Sequence, residues 1–183
     1  MSPVVIVLIV IAVILLIVAL WFISTSNKLN VAVVKVEESF SGIDVALTKR
    51  YDVLTKMMDV AKAYAKHEKE TLFEVIKLRS NMTVQEKSEA NHVMDENLKK
   101  INIIAESYPE LKSSENYKTL QLSIADVEEH LQASRRLYNS NVSLYNQMIV
   151  TFPTSIVANS KGMTKKDFFQ ADDYKREDVK MDL

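Results

Sequence analysis

The chain has 183 residues, is 48% hydrophobic, and balances 23 Lys and Arg against 24 Asp and Glu for a formal net charge of −1; it has no Cys and only two Gly. A near-neutral balance gives no long-range attraction to nucleic acid. The missing Cys removes disulfides, thiolate metal sites, Cys nucleophiles and the N-terminal Cys of a lipoprotein, and two Gly cannot build a glycine-rich phosphate loop.

Few Gly and Pro beside much Lys, Glu, Leu and Ala favour long helices, and the length suits one membrane segment plus one soluble domain. The first element is the uninterrupted apolar run VVIVLIVIAVILLIVALWFI at residues 4–23. About 20 residues at ~1.5 Å each cover ~30 Å, the thickness of a bilayer core. Trp21 and Phe22 stand at its end, where interfacial anchors belong, and Pro3 suits a first helical turn. Ser24 and Ser26 could pass as cleavage-site residues, but the run is too long for a signal sequence and no Lys or Arg precedes it. A retained anchor is therefore expected. Lys28 and Lys35, then Lys49 and Arg50, all follow the span, so the positive-inside rule favours a cytoplasmic C-terminal domain.

A short polar break at residues 24–27 leads into a long amphipathic helix, or else the membrane helix continues through it; the two cases look alike from sequence. Apolar positions step by three and four through Leu29, Val33, Val36, Phe40, Ile43 and Leu47, then Leu54, Met57, Ala61, Tyr64, Leu72 and Val75. That heptad-like stripe predicts one helix over 40–80, packed against partner helices. Arg50 and Glu68 interrupt the stripe on one face, about 27 Å apart along the axis and so unable to pair with each other. Each either snorkels at the seam edge or joins an interhelical ion pair that fixes register.

Thr83 and Glu86 form a T-x-x-E capping box, so a second helix is expected near Val84, with Ala90, Met94, Leu98, Ile101, Ala105 and Tyr108 on its inner face. Asp95–Lys99 and Glu96–Lys100 read as surface pairs on the opposite side. Pro109 stops this helix. Ser114 is placed to cap a third, striped by Tyr117, Leu120, Ile124, Val127, Leu131, Ser134, Tyr138, Val142, Tyr145, Ile149 and Phe152 and ended by Pro153. The expected fold is all-α: an N-terminal transmembrane helix, then an antiparallel up-down bundle of three long helices, four if the first is bent. The expected boundaries are 1–27 for the anchor, 28–152 for the bundle and 153–183 for a partly ordered tail, with Phe168 and Phe169 docking on the bundle end and 172–183 frayed.

Chemistry is hard to find in this pattern. His67-Glu68 resembles the start of a zincin motif, but the second His one turn later is missing, and His92 and His130 lie on other helices. No metal and no cofactor are expected. Tyr138-Asn139 recurs seven residues on as Tyr145-Asn146, with the tyrosines in the stripe and the asparagines beside it. Packing is the plainer reading, the hydroxyls and amides pairing with one another or with backbone; a polar docking face is the sharper one. Arg135 and Arg136 stand next to the first pair, with Glu68 and Asp52 as their nearest acidic partners by pattern. The residues singled out for an interhelical polar network or docking face are Arg50, Glu68, Arg135, Tyr138, Asn139, Tyr145 and Asn146.

Three stretches, IDVALTKRYDVLTKMMDVAKAYAKHEKETLFEV, AESYPELKSSENYKTLQ and RRLYNSNVSLYNQMIVTFP, in this order behind an N-terminal anchor and before the late FF-Q-A, resemble the LemA family. Matching positions include Asp44, Arg50, Asp52, Tyr64, His67, Glu68, Arg79, Tyr108, Pro109, Arg135, Arg136, Tyr138, Asn139, Tyr145, Asn146, Phe152 and Pro153. Thr55 departs from a frequent Pro, Ala63 from a usual Gly, and Glu129-His130 from a usual Asn-Arg. The resemblance implies a bacterial single-pass membrane protein with an antiparallel helical bundle, and it supplies no catalytic residue. The function expected is a membrane-anchored interaction or scaffold protein of the cell envelope without intrinsic catalysis; the alternative is a self-associating membrane-structural or remodelling protein. Its partners would be the bilayer, through residues 4–23, and another protein, with no nucleic acid and with self-association left open.

Overall fold

The computed structural model describes residues 2–65, 73, 78, 79 and 82–169, and among these there is helix and loop but no strand. The helices are α1 (Pro3–Tyr64), α2 (Val84–Ser107), α3 (Pro109–Ser113), α4 (Glu115–Val150) and α5 (Thr154–Ser160). α1 runs for 62 residues without interruption, so the polar stretch at 24–27 is simply helix. Thr25 is buried there and the neighbouring residues keep the helical ladder. Thr55, where a Pro would have broken that ladder, instead returns its hydroxyl to the Tyr51 carbonyl at 2.8 Å.

The expected helix over 40–80 is corrected: α1 stops at Tyr64, and Ala65, Phe73, Leu78 and Arg79 are not helical. Lys62 in the last turn faces the negative end of the helix dipole. Leu72 and Val75 of the predicted stripe lie outside the described residues. The second helix starts as predicted. Thr83 Oγ1 accepts from Glu86 N–H at 3.2 Å, and Thr83 N–H donates to Glu86 Oε2 at 2.7 Å. Pro109 closes α2 by opening α3 as its first residue, and Ser114 Oγ accepts from Tyr117 N–H at 3.3 Å to start α4.

The chain forms two compact units, to each of which α1 and α4 both contribute. One comprises Phe40–Asn139 and Phe168–Leu183. Its core holds Leu54, Met57, Ala61, Met94, Ile101, Ile104, Leu111, Tyr117 and Ile124, nearly all stripe positions of the predicted helices. Within it Asp44 meets Lys87 while Arg50 meets Asn91 and Asp95, so α1 and α2 advance together in the same direction. α4 runs against α1, since Phe40 meets Tyr138 and Arg50 meets Glu128. A tight turn would have forced α1 and α2 to oppose each other; here 19 residues separate Tyr64 from Val84.

The other unit comprises Met1–Ser39 and Ser140–Asp167. Its buried set is Leu29, Val36, Val142, Tyr145, Ile149, Val157 and Ala158. Asn141 Nδ2 donates to the Lys35 carbonyl at 3.2 Å, and Lys161 Nζ reaches Ser26 Oγ at 2.6 Å and Asn30 Oδ1 at 3.1 Å. Later residues therefore meet earlier ones, and α4 runs against α1 here too. α5 ends on Gly162, whose φ of 64° is open to glycine; Gly162 N–H bonds the Asn159 carbonyl and Met163 N–H the Ala158 carbonyl. That Schellman stop turns the chain into the non-helical segment 163–169. Residues 4–23 are apolar and long enough to cross a membrane, and they bury nothing against the rest of the protein.

Candidate functional site

Among the described residues, the most concentrated polar chemistry lies inside the unit built on Phe40–Asn139. Arg50, on the buried face of α1, is only 2% exposed. Its Nη1 donates to Asn91 Oδ1 at 2.6 Å and to the Asn91 carbonyl at 3.3 Å. Its Nη2 forms ion pairs with Asp95 and, at 2.8 Å, with Glu128. One guanidinium thus ties α1 to α2 and α4. The forked donor geometry suits this role, because a planar cation can serve acceptors from two directions at once. The seam-edge snorkelling reading of Arg50 is corrected: the group turns inward because acceptors from three residues on two neighbouring helices converge on it. Asp95 is corrected with it. Its side chain is only 11% exposed on the inner side of α2, and Lys99 pairs with Glu96 at 2.7 Å instead.

A second buried cation stands beside the first. Lys87 Nζ bonds Asp44 Oδ1 at 2.8 Å and sits 4.2 Å from the centroid of the Phe40 ring. Phe40 in turn packs on Tyr138, with ring centroids 5.5 Å apart. Ion pair, cation–π contact and ring contact therefore run in series across three helices. A cleft of about 30 Å³ opens next to Arg50, lined by Asn91, Asp95, Glu128, Gln132 and Arg135 among others. That is room for a water molecule. Among the described residues no three His, Cys, Asp or Glu converge as metal ligands. The carboxylates of the cleft are engaged by the guanidinium, and the lining carries no hydroxyl or thiol nucleophile.

Three residues of the repeated Tyr-Asn pairs, Asn139, Tyr145 and Asn146, hold main chain. In the unit that contains it, the Asn139 amide brackets Phe169: Nδ2 donates to the Phe169 carbonyl at 3.0 Å and Oδ1 accepts from Phe169 N–H at 2.8 Å. The Phe169 ring is buried, with the Arg135 guanidinium 4.8 Å from its centroid. In the other unit, Asn146 brackets Lys166 in the same way, both bonds at 2.9 Å. The Tyr145 hydroxyl donates to the Thr164 carbonyl at 3.0 Å, and burial pushes its pKa above the ordinary tyrosine range. Asn139, Tyr145 and Asn146 thus satisfy backbone groups of the segment after α5.

Of the residues singled out from sequence, Arg50 and Arg135 share the cleft lining. Tyr138 belongs to the aromatic contact, and Asn139, Tyr145 and Asn146 to the clamps. Glu68, like His67, lies outside the described residues. Asp52 and Arg136 are exposed. Phe169 is buried, though against Asn139 and Arg135 midway along α4 and not at the bundle end, whereas Phe168 is exposed. Lys87, Asn91, Asp95 and Glu128 were missed. For Lys87 the signal was present: it stands three residues before Ala90 on the inner stripe, where a charge needs the same explanation as Arg50.

The family model described as LemA family matches residues 39–183. Protein LemA of Metamycoplasma hominis is 31% identical over 163 residues, which cover 86% of this chain and 74% of that protein. Magnetosome protein MamQ of Magnetospirillum gryphiswaldense is 28% identical over 72 residues, 39% of this chain and 26% of its own length. Magnetosome protein MamQ 2 of Paramagnetospirillum magneticum is 29% identical over 73 residues, 40% of this chain and 27% of its own. The first likeness runs through both units, and the magnetosome likenesses are local.

Proposed function

Because this chain belongs to the LemA family, a membrane-associated group without an assigned reaction, we propose that it is a membrane-tethered interaction protein, a helical scaffold that holds a binding partner at the bilayer. One observation carries the reading: a single unbroken helix, α1, contains both the exposed apolar run and the inner faces that build each unit. The buried charges support the same reading. They are spent on fixing helix register, a use for which buried ion pairs are well attested, and the cleft beside them is too small for an organic substrate.

The C-terminal body is proposed to face the cytoplasm. Arg50 is buried in its ion pairs and no longer counts as a flanking charge. Lys28 and Lys35 remain exposed, and Lys161 joins them beside Ser26. Proximity labelling in cells with the labelling enzyme fused after Leu183 tests side and partnership together. The expected result is a reproducible set of cytoplasmic neighbours. Labelling confined to the opposite face of the membrane would overturn the orientation, and in-membrane crosslinking that gives only ladders of this chain would replace the adaptor reading with self-assembly.

A further inference from the structure

The stripe of α4 predicts Phe152 as its last buried residue, yet Phe152 is 77% exposed, the most exposed of the large apolar residues outside residues 4–23 among the described residues. Val150 and Ile156, on either side of it in the chain, are also exposed, at 57% and 52%. Scattered single residues of this kind need no explanation. These three lie at one corner, where α4 ends and α5 begins.

The position of that corner along α1 follows from contacts within a single unit. Asn141 meets Lys35, and α4 runs against α1. Nine residues farther along α4, about 13.5 Å by helical rise, Val150 comes level with Ser26. Phe152 then stands near Ser24, immediately past the apolar run. The far end of α5 is pinned at the same level, because Lys161 bonds Ser26 and Asn30. Ser26 lies three residues beyond Ile23, about 4.5 Å along the helix, and the headgroup layer outside a bilayer core is roughly 5–7 Å deep.

We infer that the corner between α4 and α5 is a second membrane contact, with Phe152 and Ile156 entering the interfacial layer of the lipid beside the anchor helix. This rests on reading residues 4–23 as membrane-spanning. The chemistry agrees with the position. Aromatic and branched side chains are favoured at the boundary of headgroup and acyl chain. Lys28 and Lys161, both exposed at this level, are placed to meet lipid phosphates. Continuity with the exposed apolar run and its Trp21–Phe22 end identifies the occupant as lipid.

The sole Trp of the chain is Trp21, and there is no Cys, which makes the test direct. The full chain is reconstituted in vesicles of phosphatidylcholine and phosphatidylglycerol, with bromines placed either high or low on the acyl chains. In the double variant Trp21→Phe, Phe152→Trp, emission is expected at shorter wavelength than in detergent-free urea, quenched by the shallow bromines and protected from aqueous acrylamide. Free quenching by acrylamide with no bromine effect overturns the inference. The native chain separates the two failures: quenching of Trp21 with none at position 152 removes the corner contact and leaves the anchor, whereas no quenching of Trp21 removes both. Ile156→Cys carrying an environment-sensitive nitrobenzoxadiazole group gives an independent reading. Its emission should rise on vesicles, and emission unchanged from that in water counts against the contact even where the Phe152 variant fails to fold.

Discussion

Arg50 shows how a single side chain can decide a helical assembly. With the guanidinium gone, the nearly enclosed Asp95 would lose its buried ion-pair partner, the costly way to break such a pair. Arg50→Ala should therefore destabilise the fold by about 3 kcal/mol, read from urea unfolding followed by circular dichroism. Double-mutant cycles should give a larger coupling for Arg50 with Asp95 than with Glu128, whose side chain is 37% exposed and better screened. A milder effect is expected at the start of α2. Main-chain and side-chain bonds from Thr83 hold the Glu86 carboxyl below the usual glutamate range. Its lowered value in the folded state means that its contribution is present above the ordinary carboxylate pKa and is lost as pH falls through the lowered one. Amide exchange in the first turn of α2 should accelerate over that acidic window, and Glu86→Gln should flatten the dependence.

At the scale of elements, the segment 163–169 has no regular structure of its own and is held by what α4 offers it. Asn146→Leu should remove two hydrogen bonds and release the Lys166 amide to exchange, and Asn139→Leu should do the same for Phe169, each at a cost of about 1 kcal/mol per bond. Hydrogen exchange with mass spectrometry resolves both. The repeat itself was plain in the sequence, because Tyr-Asn recurs at a heptad interval; its purpose was not, because no pattern in 163–169 marks that stretch as the recipient. In hindsight the spacing is informative. Seven residues of helix and three of extended chain each cover about 10 Å, so a heptad of Asn suits a chain gripped at every third peptide. The helix stripes were legible for a simpler reason: steps of three and four in Leu29 to Ala61 and in Tyr117 to Ile149 can only be one face of a helix. The stripe failed at Tyr64 and Phe152, at the two helix ends, where the rule has no further turn to pack.

For the molecule as a whole, what the sequence hid was direction. The capping box and the prolines mark where helices begin and end, but whether α1 and α2 oppose or accompany each other depends on the path between Tyr64 and Val84. That path left no local signal. The partners of Arg50 are hidden for another reason: Asp95 stands beside Met94 and off the apolar stripe of α2, so the stripe alone puts it on the outer side. Continuity of the apolar run with the folded body leads to a prediction at this scale. Deletion of residues 2–23 should move the protein from the membrane pellet to the supernatant while leaving the Arg50 contacts formed, as all of them come from Phe40–Asn139. Retention of the truncated chain on membranes in high salt would show that the corner at Phe152 binds lipid by itself.

The bonds that Asn139, Tyr145 and Asn146 send to 163–169 all end on main-chain atoms. Such a grip is indifferent to spelling. Thr164, Lys165 and Lys166 can be rewritten almost at will, into part of an epitope or a protease recognition sequence, so long as no imino acid falls at 166 or 169, where a peptide N–H is required. The stretch is thus a ready place to install a foreign tag, and one whose letters would be free to drift among relatives while its path stayed fixed.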